Sequence, residues 1–106
     1  MPKYLVEVTY TAQGAKGLLA EGGSKRRDAA EKAVKAAGGK VEAFYFSFGK
    51  SDAIVIVELP DNVSAAAASL AINASGAVTT TTTVLLTPAE IDEAAKKAVP
   101  YRAPGQ

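Results

Sequence analysis

The chemistry open to this chain is limited by what it lacks, because its 106 residues include neither histidine nor cysteine. Thiolate nucleophiles, imidazole bases, histidine-ligated haem and ordinary zinc sites are therefore excluded. A metal ion would have to be a hard cation held by carboxylates, and proton transfer would rest on Asp, Glu, Lys or Tyr. We accordingly predict no metal site and no cofactor.

A basic run at residues 25–27 follows the glycine-containing sequence 22–24. Free backbone N–H groups at the start of a helix attract phosphate or carboxylate, so this segment is one candidate anion site, with Arg26 as a ligand contact. The alternative is a solvated basic helix end that pairs with Asp28 and Glu31. The glycine spacing matches neither the P-loop nor the dinucleotide-binding fingerprint.

The segment 41–59 predicts a β-hairpin that is apolar on both faces. Two runs rich in Val, Ile, Phe and Tyr are joined by the turn sequence of residues 49–52. A hairpin with one wet face would alternate cleanly between polar and apolar residues, so we expect both faces to be covered. The predicted first strand places Val41, Ala43, Tyr45 and Ser47 on one face, and Glu42, Phe44, Phe46 and Phe48 on the other.

The remaining segments predict two further strands and four helices from their periodicity, caps and breakers. Thr11 is a possible cap for a short helix that glycines weaken, and Ser24 is a plausible cap for a firm one. Thr87, Pro88 and Glu90 form a capping box that starts the last helix. The predicted elements are a strand at 3–10, helices at 15–21, 25–37 and 63–73, a strand at 77–86, and a helix from 88 to about 99.

This order predicts an α+β fold, the ferredoxin-like βαββαβ plan with a four-stranded antiparallel sheet and a C-terminal helix. Right-handed crossovers give the strand order 4-1-3-2 with both crossover helices on one face. We expect one domain over residues 1–99 and a loose tail at 100–106. The opposite face would carry Leu5, Glu7, Thr9, Ile54, Ile56 and Glu58, and packing on a second copy about a two-fold axis would cover it.

The formal net charge of +1 argues against nucleic-acid and anionic-membrane binding, which usually require a basic excess. Phe44, Phe46 and Phe48 could stack on bases, but Glu42 and Glu58 stand close to them in the sequence. No run is long enough to span a membrane, and the N-terminus lacks a signal peptide pattern. We therefore expect no nucleic-acid or membrane partner, and a cytoplasmic location as the default.

Short motifs spread over roughly residues 3–95 point to a known family. They are Tyr4-Leu5-Val6, Ser24-Lys25-Arg26, Gly38-Gly39-Lys40-Val41, Phe44-Tyr45-Phe46 and Phe48-Gly49-Lys50-Ser51-Asp52. Together they resemble the GYD domain family of the dimeric α+β barrel group. In the family signature, Gly49 and Asp52 match, whereas Ser51 stands where the family usually has tyrosine. The resemblance implies the ferredoxin-like fold and a homodimer or larger homo-oligomer.

Two functions stay open for such a protein. One is a regulatory or small-ligand-binding module, with Tyr45, Phe46 and Arg26 as candidate ligand contacts. The other, implied by enzymes of the same barrel group, is a cofactor-free monooxygenase or isomerase that acts on a small aromatic or carbonyl compound. Desolvation raises the pKa of a carboxyl and makes it a base, so the candidate catalytic residues are Asp52, Glu7 and Glu58. The alternative for these three residues is structural: a turn for Asp52, and ion pairs for the two glutamates.

Overall fold

The computed structural model of the chain describes residues 1–47 and 49–106. Its sheet contains four antiparallel strands in the order β2-β3-β1-β4, which confirms the predicted ferredoxin-like topology. The chain order is β1 (Lys3–Tyr10), α1 (Ala12–Glu21), α2 (Gly23–Ala36), β2 (Lys40–Phe46), β3 (Ala53–Glu58), α3 (Asn62–Ala74), β4 (Val78–Leu85) and α4 (Pro88–Ala95).

One face of the sheet carries the core. Tyr4 on the central strand β1 lies between Val57 of β3 and Val84 of β4, and its side chain is 1% exposed. Val34 from α2 and Ala65 from α3 pack against the same cluster. We call this the helix-facing side. It is opposite to the side that the sequence predicted for Leu5, Glu7 and Thr9.

A β-bulge between Val41 and Ala43 corrects the predicted register of β2. The extra residue returns Val41 to the helix-facing side, where it and Phe44 pack against the core. Tyr45 pairs with Ile54 and therefore stays on the opposite side. The prediction assumed an uninterrupted two-residue alternation, and the sequence gives no sign of the bulge because residues of both parities in β2 are apolar. The predicted face of Phe48 lies outside the described residues.

The first helix begins earlier than predicted, because Thr11 caps it directly. The Thr11 hydroxyl accepts a 3.2 Å hydrogen bond from the Gly14 N–H group, so α1 starts at Ala12. Gly14 lets this helix approach the residue that precedes β4. A Cβ atom on Gly14 would lie 1.9 Å from the carbonyl oxygen of Ala77.

The second helix also begins before its predicted start. Gly22, with φ of +84°, separates α1 from α2 and occupies the cap position, so Ser24 lies inside the helix. The predicted end holds, since the N–H groups of Gly38 and Gly39 bond to the carbonyl groups of Lys35 and Val34. The run at 25–27 therefore begins at the third residue of α2: Lys25 and Arg26 lie in the first turn, and Arg27 begins the second.

The last helix projects from the rest of the chain. Its capping box is present as predicted, with Thr87 and Glu90 bonded to each other's backbone N–H groups, but it ends at Ala95 rather than near Val99. All its residues are exposed, including Ile91 at 50%. The radius of gyration is 16.9 Å, against about 13 Å for a compact domain of this length.

Candidate functional site

A cavity of about 280 Å³ lies between the helix-facing side of the sheet and the helices α2 and α3. Its floor is the core side of the strands, including Val6 and Val8 on β1 and Val55 on β3. Apart from Ile72, its roof consists of alanine and serine residues, which leave space that larger side chains would fill. The roof residues are Ala29, Ala30 and Ala33 on α2, and Ala65, Ala68, Ser69 and Ile72 on α3.

The sequence predicted the packed side of α3 only in part. Of its apolar candidates Ala66, Ala67, Leu70 and Ile72, Ile72 lines the cavity, whereas the other three are exposed, Leu70 by 72%. The packed stripe begins at Ala65 and follows the helical spacing of three, four and seven residues to Ile72. Alanines occur on all sides of α3, so polarity alone did not distinguish the side that faces the sheet from the side that faces solvent.

Asn73 anchors α3 to β4 beside the cavity. Its side-chain amide donates a 2.8 Å hydrogen bond to the Thr80 hydroxyl, and its Oδ1 accepts from the Thr80 N–H group at 2.8 Å. One turn earlier, the hydroxyl groups of Ser69 and Thr82 lie 3.3 Å apart. The sequence indicates only that Asn73 lies near the end of a helix. Its position seven residues before Thr80 was the one signal that could have suggested their contact.

Tyr4 fixes the beginning of α3 over the floor of the cavity. Its buried ring lines the cavity, and its hydroxyl donates a 2.7 Å hydrogen bond to Oδ1 of Asn62. Asp61 caps the same helix by accepting a 2.8 Å bond from the Ser64 N–H group, and this bond lowers the pKa of the Asp61 carboxyl. Both ends of α3 are thus held by side-chain hydrogen bonds.

Arg26 is the single charged side chain among the described residues that line the cavity. It is placed by α2, one turn before the roof alanines. Its Nη1 lies 3.6 Å from a carboxylate oxygen of Glu21, and 35% of the side chain is exposed. Of the six predicted site residues, Arg26 alone lines this cavity.

Phe46 and Asp52 border a second, more open groove of about 480 Å³, together with Leu18 and Leu19 of α1. Oδ2 of Asp52 accepts a 2.9 Å hydrogen bond from the Tyr10 N–H group. The N–H group of Asp52 donates to the carbonyl of Val8 at 2.8 Å. Asp52 therefore links the hairpin turn to β1.

Glu58 lies in an ion-pair cluster at one end of the sheet. Its carboxylate oxygens are 3.3 Å from Nζ of Lys40 and 3.6 Å from Nζ of Lys3. Hydrogen bonding to Lys40, followed by the charge of Lys3, lowers the pKa of the Glu58 carboxyl. This direction is opposite to the raised pKa that a base requires.

Glu7 and Tyr45 lie on the other side of the sheet, away from the cavity. Glu7 is half-buried on β1, between Ile54 of β3 and Thr81 of β4. Tyr45, on the edge strand β2, is 71% exposed. The structure thus separates the six predicted residues into the cavity, the groove, the ion-pair cluster and this uncovered side.

Within residues 1–47 and 49–106, no group of three acidic side chains is placed to hold a metal ion. In the same residues, no helix combines the length and apolar character needed to cross a bilayer.

The fold and cavity define the class: a ferredoxin-like α+β protein with a small, partly open cavity between its helices and its sheet. The chain belongs to the GYD domain family, whose profile matches residues 4–95. Searches found no matching curated protein and no matching solved structure.

Proposed function

We propose that this GYD domain protein is an oligomeric module that binds a small organic ligand in the cavity between helices and sheet. The observation that carries the proposal is the cavity itself. Its volume of about 280 Å³ is close to the lower end of the roughly 300–1,000 Å³ typical of ligand pockets. The size favours a compact molecule rather than a large cofactor.

The distribution of polar groups around the cavity also supports ligand binding. The floor is apolar, whereas hydroxyl groups of Ser69, Thr80 and Thr82 and the guanidinium of Arg26 lie among the lining residues. Small-molecule sites commonly combine an apolar body with a few placed polar groups. Such a lining would hold an apolar molecule and orient its polar end.

The uncovered side of the sheet supports the oligomeric part of the proposal. We name this surface the open face; it places Leu5, Ile54 and Ile56 beside Glu7. A two-fold related copy would cover these apolar groups with identical ones. The threonines of β4 supply hydroxyl donors that a partner's Glu7 would need when water is excluded. The open-face threonines are Thr79, Thr81 and Thr83.

Native mass spectrometry of protein purified from its own host tests the ligand, with a variant that fills the cavity. Ala33→Leu places a larger side chain in the roof, whereas Ala36→Leu makes the same change at an exposed position of α2. Wild type and Ala36→Leu should carry an added small-molecule mass that Ala33→Leu loses. Circular dichroism should show that both variants fold.

Retention of the same added mass by folded Ala33→Leu would place the ligand outside the cavity. Wild-type protein that carries no added mass, and is not stabilised by any member of a small-molecule panel, would contradict ligand binding.

The alternative, a cofactor-free enzyme with a carboxylate base, has less support from the geometry. Neither Glu7 nor Glu58 lines the cavity or the groove, and the pKa of Glu58 is lowered. Asp52 does border the groove, but one of its oxygens already accepts the Tyr10 N–H group. We therefore propose binding as the function.

A further inference from the structure

We infer that the ligand is an anion with an apolar body, and that Arg26 pairs with its charge at the edge of the cavity. The inference deepens the proposed function and rests on it. A carboxylate on a short aliphatic or aromatic skeleton is the chemical class that fits.

The position of Arg26 on its helix is the first argument. Arg26, Ala29, Ala30 and Ala33 are spaced by three, four and seven residues, so they lie on one stripe of α2. The three alanines form the roof, and the arginine extends the same stripe to the end of the cavity. Arg27, one position further, is not among the lining residues and pairs instead with Glu31 at 3.7 Å.

The hydrogen-bonding capacity of Arg26 is the second argument. A guanidinium has five N–H donors arranged to match a carboxylate. The Glu21 pair involves Nη1 at 3.6 Å, which is longer than a normal charged hydrogen bond. Donors therefore remain for a ligand, and an exposed pair of this kind is weak enough to exchange.

The serine and threonine hydroxyls of the lining already have hydrogen-bond partners within the protein, which is the third argument. The Thr80 hydroxyl accepts from Asn73, and the Ser75 hydroxyl donates to the carbonyl of Ile72. Ser69 and Thr82 lie within hydrogen-bond distance of each other. Arg26 is thus the lining side chain with both charge and spare donors.

The local energetics of α2 agree with a role for this cation. Positive charges near the beginning of a helix oppose its dipole, and the sequence nevertheless places three of them at the third to fifth residues of α2. Violations of a local preference are expected where function requires them. Arg26 is the one of the three that lines the cavity.

Three probes of equal chain length test the inference by isothermal titration calorimetry: octanoate, 1-octanol and octylamine. Wild type should bind octanoate most tightly and octylamine most weakly. Arg26→Gln should weaken octanoate binding roughly tenfold and leave 1-octanol unchanged, because only the charged hydrogen bonds are lost. Arg27→Gln is the matched control and should leave both affinities as in wild type.

Three other outcomes would each overturn the inference. Equal binding of octanoate and 1-octanol, both abolished by Ala33→Leu, would overturn the charge preference while leaving the cavity as a ligand site. Equal loss of octanoate affinity in Arg26→Gln and Arg27→Gln would show general electrostatic attraction and would also overturn the role of Arg26. Failure of all three probes to bind wild type would overturn the inference, and the host-purified mass would decide the proposed function separately.

Discussion

The two sides of one sheet differ in how far a single chain completes them. On the helix-facing side, Tyr4 and Val57 are 1% and 2% exposed. On the open face, Ile54 and Tyr45 are 37% and 71% exposed, although Ile54 alternates along β3 with the buried Ala53 and Val55. The apolar residues of this sheet therefore lie on both of its sides, and α2 and α3 cover one of them.

The cover on the helix-facing side also explains the cavity. Helices lined with alanine can close over a sheet without filling the space beneath them, since a methyl group reaches only a short distance from its helix. Within residues 1–47 and 49–106, no helix forms such a roof over the open face, and its apolar side chains stand beside Glu7 and a row of threonines. One side is therefore suited to a small molecule, and the other to a surface of matching shape.

The largest expected difference between the two sides is in stability. It should appear when aspartate replaces either of two adjacent residues of β3. Val57→Asp buries an unpaired carboxylate against Tyr4, at a cost of about 5 kcal/mol or more, comparable with the whole stability of a small domain. Ile56→Asp puts the same group on the open face and should leave the chain folded. Circular dichroism and thermal melts would distinguish them; a folded Val57→Asp protein would contradict the assigned core.

Self-association should depend on the open face rather than on the helix-facing side. Wild type should sediment at micromolar concentration as a dimer or larger, because the open face then covers its apolar residues. Ile56→Asp introduces two like charges across a two-fold interface and should weaken association by at least roughly a hundredfold. Analytical ultracentrifugation measures both proteins.

The matched control for association is Val63→Asp, which adds the same charge to an exposed position of α3 and should sediment like wild type. Wild-type protein that remains a well-behaved monomer under these conditions would contradict the proposed oligomer.

A smaller difference is expected when one hydroxyl is removed on each side. Tyr4→Phe deletes the hydrogen bond to Asn62 and leaves its partner in place, which should cost about 1 kcal/mol of unfolding free energy. Tyr45→Phe makes the same change at an exposed position and should alter it by less than about 0.5 kcal/mol. Urea unfolding at one protein concentration compares them.

An equal loss of unfolding free energy in Tyr4→Phe and Tyr45→Phe would contradict this expectation. It would indicate that the Tyr45 hydroxyl is engaged by a partner chain. Repeating the pair in the Ile56→Asp background would then restore the difference.

Much of this contrast could be predicted from periodicity, because alternation along β1 separated Tyr4 and Val6 from Leu5 and Glu7. The topology followed from element order, and the cap of α4 from Thr87 and Glu90. The bulge at Val41 could not be predicted, since residues of either parity in β2 are apolar. The cavity could not be predicted either, because it depends on which alanines of α3 face the sheet, and an alanine-rich helix gives no directional pattern.

Of the candidate site residues, sequence reasoning identified Arg26 through its basic run but could not place it beside the roof alanines without the start of α2. Asp52 and Glu58 were recognised as carboxylates near strands. Their partners come from distant segments: Tyr10 and Val8 contact Asp52, and Lys3 contacts Glu58. Such contacts depend on tertiary register, which local spacing does not encode.

The smallest expected effect concerns the pKa of Glu58, and it tests whether this carboxyl could act as a base. Hydrogen bonding to Lys40 and the charge of Lys3 hold the pKa of Glu58 below the ordinary value of 4.5. A carboxyl whose folded pKa is lowered adds stability that is fully present above its unfolded pKa and is lost as pH falls through the folded pKa. The Glu58 contribution should therefore be present at neutral pH and disappear on acidification below about pH 4.5.

Carboxyl-detected NMR titration measures that pKa directly, and unfolding at neutral and acid pH measures its linkage to stability. Glu58→Gln should lose slightly more stability at neutral pH than in acid, and Glu93→Gln, on the exposed helix α4, is the matched control for the loss of a surface carboxylate. A Glu58 carboxyl that titrates above 4.5 would contradict the ion-pair cluster seen here. It would also return Glu58 to consideration as a base, and the open face would then have a chemical role in addition to association.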